Sequence, residues 1–159
     1  MYVGDSLGVG TLPQLVARMP AVSFDGDTRV GRTSSEGLAV LRVRLRPRHR
    51  VVIFDLGTND FSTATLTSNL HRARREAGER PMIVFTLNKP GAGPFNRALR
   101  AFAARAPDVE LIDWRAQAAR ERLLGGDGIH ASAAGYRRRA ALVAGRLRAL
   151  ADVPVRLAR

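Results

Sequence analysis

Three short stretches of this sequence hold residues able to act together on an acyl group: Gly4-Asp5-Ser6-Leu7, Gly57-Thr58-Asn59-Asp60 and Asp127-Gly128-Ile129-His130. A serine hydroxyl becomes a nucleophile when an imidazole accepts its proton, and a carboxylate holds that imidazole in the right tautomer. Ser6, His130 and Asp127 supply the three groups. Asp127 and His130 stand three residues apart across a glycine-containing turn, so the carboxylate can reach Nδ1 and hold Nε2 toward Ser6. The tetrahedral intermediate of acyl transfer also needs donors for its oxyanion. The side-chain amide of Asn59, the N–H of Gly31 in Arg29-Val30-Gly31-Arg32 and the N–H of Ser6 itself suit that task. Each piece has a plainer reading on its own. Ser6 reads as a helix cap, Gly57 to Asp60 as an ordinary turn, and His130 as a structural residue before a helix. Asp127 reads as the Asx turn of Gly125-Gly126-Asp127-Gly128, which is compatible with a catalytic role. Asp5 is expected to brace its turn. His49, in an arginine-rich segment, and His71, in a polar helix, read as solvated surface residues.

The elements that must position these groups alternate. Val51 to Leu56 and Met82 to Leu87 are short, nearly continuous apolar runs, as in strands buried on both faces. Val109 to Asp113 is a third strand, with weaker ones at Tyr2-Val3 and Ala21 to Phe24. Helices are expected at roughly Leu12 to Arg18, Ser35 to Leu45, Ala64 to Ala77, Pro94 to Arg105 and Arg115 to Leu124. In the last helix Ser132 can cap the start, and Tyr136, Ala140, Val143, Leu147 and Leu150 make one apolar stripe. Alternating β and α elements imply a parallel sheet with helices on both faces, and such sheets place their chemistry at the C-terminal ends of the strands. Ser6 and Asn59 each follow a strand and would share that edge.

At 159 residues the chain suits one domain, expected over 1–152 with a loose tail at 153–159, and burying about two-thirds of its unfolded surface. It has no cysteine, which removes disulfides and thiolate metal sites. No apolar run reaches the length of a membrane span, so no membrane insertion is expected. No signal peptide is visible, and the expected location is cytoplasmic by default unless this is a domain cut from a longer exported or membrane-bound chain. The net charge of +12 comes from 25 arginines and one lysine against 14 acids. The positives are dispersed and few aromatics interleave with them, unlike a single-strand stacking platform. The charge reads as a solvated arginine-rich surface, and no nucleic-acid partner is expected. No Gly-rich phosphate loop is present, since Gly8-Val9-Gly10 is too short.

The order serine, aspartate, histidine, with acid and base three residues apart, resembles the SGNH (GDSL) family of ester hydrolases. Gly4-Asp5-Ser6-Leu7 is similar to that family's first block, Gly31 to its lone second-block glycine, Gly57-Thr58-Asn59-Asp60 to its GxND block and Asp127-Gly128-Ile129-His130 to its DxxH block. The resemblance spans roughly the whole chain. It implies an α/β fold, a three-layer α/β/α sandwich with a parallel, roughly five-stranded sheet. It also implies a serine esterase without metal or cofactor: Ser6 nucleophile, His130 base then acid, Asp127 its orienter, with Ser6, Gly31 and Asn59 as the oxyanion hole. Asp60, Asn88, Trp114 and Ile129 are candidate substrate contacts. Leu111-Ile112-Asp113-Trp114, the DxxH block, Gly135-Tyr136 and Asn96 are similar to the SGNH domains of peptidoglycan and polysaccharide O-acetyltransferases, although Gly57 to Asp60 has the hydrolase form. Asp113 and Trp114 read equally as a strand end and a core or rim aromatic. The expected reaction is cleavage of short acyl esters, deacetylating or acetylating a carbohydrate, because no long insertion is left to build an acyl tunnel. The alternatives are a thioesterase or lysophospholipase, or an inactive polyanion-binding module on the same scaffold.

Overall fold

Five strands and six helices alternate along residues 1–152, the part that the computed structural model describes: β1 (Tyr2–Gly4), α1 (Ser6–Arg18), β2 (Gly26–Thr28), α2 (Ser34–Arg44), β3 (Val52–Asp55), α3 (Thr63–Ala77), β4 (Met82–Phe85), α4 (Ala92–Ala104), β5 (Val109–Ile112), α5 (Trp114–Glu121) and α6 (Ala133–Asp152). The tail expected over 153–159 lies outside the described residues. All strand pairs are parallel, in the order β2-β1-β3-β4-β5. The chain therefore moves outward from β1 in opposite directions, and the C-terminal edge beside β1 is the switch point at which such sheets bind ligands.

Strand alternation divides the core into two layers. Val3, Phe54 and Val84 face one side with Leu38, Leu66 and Leu99 of α2, α3 and α4. Tyr2, Ile53 and Ile83 face the other with Leu15, Trp114 and Val143 of α1, α5 and α6. This is the three-layer α/β/α arrangement expected from the alternating pattern. No described helix is long and apolar enough to cross a membrane.

Three local expectations are corrected. Helix α1 begins at Ser6 rather than Leu12, because Asp5 caps it: its Oδ1 accepts from the Leu7 N–H at 2.9 Å. Gly8 and Gly10 make the first half of α1 a poor helix by propensity, but close packing requires them. A Cβ on Gly10 would lie 2.4 Å from the Tyr136 ring, so glycine lets α1 approach α6. Strand β2 is Gly26–Thr28, not Ala21 to Phe24. It has no strand-like sequence and exists because β1 offers its edge, with Tyr2 N–H donating to Asp25 O at 2.8 Å and Arg29 N–H to Gly4 O at 3.1 Å. His49 is buried, not solvated: Nδ1 accepts from the Arg46 N–H at 2.9 Å, and Nε2 lies 3.2 Å from the Asp25 carboxylate. His71 is exposed, edge-on to Phe102.

Candidate active site

Ser6 follows the end of β1 by two residues, Gly31 follows β2 by three and Asn59 follows β3 by four. Because β1 lies between β2 and β3 in the sheet, the serine falls between the two other candidate donors. As the first residue of α1, Ser6 has a backbone N–H with no intrahelical partner. The positive end of the helix dipole also favours negative charge at that point.

The histidine arrives on a short, closed loop. Leu124 and Ala131 form an antiparallel bridge. Gly125 N–H donates to His130 O at 2.7 Å and Ser132 N–H to Leu123 O at 2.8 Å. Inside the loop, Asp127 Oδ1 accepts from the N–H groups of Ile129 and His130, each at 2.9 Å. Its Oδ2 lies 2.5 Å from His130 Nδ1, and His130 Nε2 lies 2.9 Å from Ser6 Oγ. The Asx turn and the imidazole-orienting contact thus coexist in one carboxylate. Hydrogen bonding from His130, then from the two backbone amides, holds the Asp127 carboxyl down at about 2. With the carboxylate charged, Nδ1–H donates to it and Nε2 is left to accept from the serine hydroxyl. The side chains of His130 and Asp127 are 44% and 49% exposed, so their pairing serves orientation more than stability.

Gly31 is the third residue of a turn closed by the Arg32 N–H donating to Arg29 O at 3.3 Å, and its φ of +76° is the left-handed value that glycine adopts freely. It is exposed. Asn59 Nδ2 donates to Arg32 O at 3.0 Å, and an amide NH₂ has a second hydrogen to give. A cleft of about 550 Å³ opens beside these residues, bounded by Gly31, Asn59, Phe61, Lys89, Phe95 and Ile129. The Phe61 side chain is fully exposed there, 101% by residue. A cavity of about 210 Å³ around Met1, Asp25 and His49 is lined by none of the residues expected at the site.

Of the candidate substrate contacts, Ile129 and Asp60 line the cleft. Asp60 is nevertheless buried, and its Oδ1 accepts from the Ser34 N–H at 2.8 Å, tying the loop after β3 to the start of α2. Trp114 is corrected as a substrate contact: the first residue of α5, it is 0% exposed and packs in the core, the core alternative of the two readings. Asn88 is also buried and outside the cleft lining. Asn96 is structural, its amide bonding both Leu87 O at 3.0 Å and Leu87 N–H at 2.7 Å.

Two buried arginines escaped sequence reasoning. Arg139 on α6 is 0% exposed and places Nη2 2.7 Å from both oxygens of Asp55 at the end of β3. Its Nε donates to Thr11 Oγ1 on α1 at 3.0 Å. Arg32 is the second. In a chain with 25 arginines, nothing local distinguishes these two from the solvated ones. Among the described residues, no group of three His, Cys, Asp or Glu has metal-holding geometry.

A parallel sheet with a serine at its switch point, hydrogen-bonded through histidine to aspartate, defines an α/β acyl hydrolase of SGNH type. The sequence matches the GDSL-like Lipase/Acylhydrolase family over residues 2–138, and the chain belongs to that family. Its general chemistry is acyl-ester hydrolysis. Solved structures agree on the fold. The C-terminal catalytic domain of Streptococcus pneumoniae peptidoglycan O-acetyltransferase A superposes with a TM-score of 0.80 at 18% identity, over 97% of this chain and 94% of that one. TesA gives 0.72 at 25% identity, over 94% and 97%. A Clostridium thermocellum family 3 carbohydrate esterase gives 0.71 at 17%, over 94% and 96%. A search of curated proteins found no match.

Proposed function

We propose that this protein cleaves short acyl esters, acetyl above all, by covalent catalysis at Ser6, and that the alcohol half is a carbohydrate. The observation that carries the mechanism is the unbroken hydrogen-bonded line from Asp127 through His130 to Ser6, at 2.5 and 2.9 Å. Ser6 Oγ attacks the ester carbonyl carbon while its proton passes to His130 Nε2. The carbonyl oxygen, now an anion, accepts from the N–H groups of Ser6 and Gly31 and from Asn59 Nδ2. Asp127 stabilises the imidazolium. The intermediate collapses as His130 returns the proton to the leaving alcohol, and the acyl group stays on Ser6. His130 then deprotonates water, or an acceptor hydroxyl, which attacks the acyl-enzyme and releases Ser6 Oγ with its proton.

The short-chain preference follows from the elements, which occupy nearly all of the described chain and leave no insertion to enclose a long acyl tail. Each further methylene adds about 0.8 kcal/mol only where there is apolar surface to bury it. The carbohydrate reading is supported by Phe61, an aromatic face held out on the cleft wall two residues from Asn59. It draws also on likeness to structures named as a peptidoglycan O-acetyltransferase and a carbohydrate esterase. The test is a chain-length series of p-nitrophenyl esters, with and without a sugar acceptor. Highest kcat/KM is expected from acetyl to butyryl. Efficiency still rising at dodecanoyl would favour a lysophospholipase- or thioesterase-type substrate instead.

A further inference from the structure

Arg32 directly follows Gly31, yet its side chain turns inward and the residue is only 5% exposed. Nη1 donates to Gly4 O at 3.3 Å and to Asp27 O at 2.5 Å, while Nη2 pairs with Asp27 Oδ1 at 2.5 Å. The other Asp27 oxygen is held by Arg44 Nη1 at 2.7 Å, which fixes the carboxylate from its far side. The backbone of Arg32 is used as well. Its N–H closes the turn that carries Gly31, and its C=O accepts from Asn59 Nδ2. One residue therefore joins the end of β1 two residues before Ser6, the middle of β2, the exposed Gly31 turn and the Asn59 amide. Those are the supports of all three oxyanion donors.

We infer that Arg32 is a positioning residue that sets the geometry of the oxyanion hole without touching substrate, an inference that rests on the esterase reading above. The physical need is clear. Gly31 lies on an exposed turn whose glycine permits many conformations, whereas an oxyanion donor works only when held near its target in advance. A guanidinium suits this task better than an ammonium, since its planar fork reaches several acceptors at once. Lysine at position 32 would carry its three donors on one nitrogen and lack the fork by which Arg32 reaches Asp27 Oδ1 from one nitrogen and the Gly4 and Asp27 carbonyls from the other.

The test uses p-nitrophenyl acetate, with folding checked by thermal unfolding. Arg32→Ala and Arg32→Lys are expected to lower kcat by about 10- to 100-fold, the order that small misplacement of a catalytic group costs, with KM changed less than about threefold. Guanidinium chloride at non-denaturing concentration should restore part of the kcat of Arg32→Ala and none of that of Asn59→Ala. Adding Arg32→Ala to Asn59→Ala should cost less than it does alone, because one of the donors it positions is already gone. Wild-type kcat in folded Arg32→Lys, a loss confined to KM, or a loss fully additive with Asn59→Ala would overturn the inference. Arg32→Lys keeps the question decidable where the alanine variant fails to fold. Ser6→Ala in the same assay separates the two levels: turnover surviving there would remove the esterase reading itself, whereas a dead Ser6→Ala beside a fully active Arg32→Lys removes only the role of Arg32.

Discussion

At the scale of single residues, the proposed mechanism divides labour so that the members of the site differ in what their loss should cost. Ser6→Ala deletes the only atom able to carry the acyl group, and His130→Ala leaves the hydroxyl without a base; the two act as one unit, so their losses should be similar and the largest. Asp127→Asn removes the tautomer-setting acceptor and the charge facing the imidazolium, for a loss of up to about 10⁴-fold, the magnitude of the same change in a serine-protease triad. Asn59→Ala forfeits one donor of three and should cost on the order of 10²–10³ in turnover. Ester turnover and fluorophosphonate labelling of the four variants test that order, and full activity in folded His130→Ala would move the base elsewhere. A pH profile adds to this. With its folded value depressed to about 2, Asp127 contributes stability above the ordinary carboxylate range and loses it only as pH falls through about 2. It stays charged wherever the enzyme can be assayed, so Asp127→Asn should lower kcat/KM throughout yet keep its acid limb. An acid limb that vanished would make Asp127 the titrating group.

At the scale of elements, the decisive contact is that between α1, which begins with Ser6, and α6, which follows His130. Gly10 against the Tyr136 ring brings the two helices together, and Arg139 on α6 reaches Thr11 on α1. The same guanidinium pairs with Asp55, whose Oδ2 also accepts from Tyr2 Oη at 2.8 Å. It lies 4.5 Å from the Phe85 ring centroid and 4.9 Å from that of Trp114. Arg139→Ala would leave the Asp55 carboxylate buried without its counter-charge, a loss of about 3–5 kcal/mol. Neutralising both partners, with Arg139→Met and Asp55→Asn together, should recover much of that loss. The adjacent Arg138, whose ion pair to Glu121 is 38% and 35% exposed, should cost less than about 1 kcal/mol on mutation to alanine. Urea unfolding of the four proteins distinguishes these outcomes; a double variant no better than Arg139→Ala would show that packing, not the unpaired charge, sets the cost.

At the scale of the whole molecule, pH and salt act through different charges. Burial, then the nearby charge of Asp55, raises the Asp5 carboxyl to about 7. Its folded value thus exceeds its unfolded one, so the folded state keeps a proton that the unfolded chain has released. The associated stability is fully present below the ordinary carboxylate range and is lost as pH rises through about 7. Asp5→Asn keeps a helix-capping side chain but removes this titration. The variant should gain on the wild type by at least about 1.4 kcal/mol in urea unfolding between pH 5 and pH 8, the equivalent of one pH unit. A constant difference across that range would show that Asp5 is charged in the folded protein. Salt acts instead on the surface arginines behind the net charge of +12. Screening over about 10 Å at 0.1 M should slow turnover of anionic polymeric esters and leave p-nitrophenyl acetate nearly unaffected. Equal salt sensitivity for the two substrates would take steering away from these arginines.

What the sequence determined by itself was whatever depends on neighbours along the chain. The apolar runs of β3 and β4 are strands in any context that buries them. Asp127 and His130 meet within one turn. The α6 stripe from Tyr136 to Leu150 likewise needs only helical periodicity to be read. Tertiary structure decided the rest, because the partners are distant in sequence. Strand β2 has no strand chemistry and is made by the edge of β1. Helix α1 extends back to Ser6 through glycines that only packing against α6 explains. His49 is buried with its ring facing Asp25, a partner 24 residues away. Trp114 is core because α5 lies against the sheet. Arg139 and Arg32 are the strongest cases. A guanidinium enters the interior only where a carboxylate and carbonyls already wait for it, and Asp55 is 84 residues from Arg139 while Gly4 is 28 from Arg32. A one-dimensional pattern cannot tell such an arginine from a solvated one, since the free energy that decides its place belongs to partners that only the fold brings near.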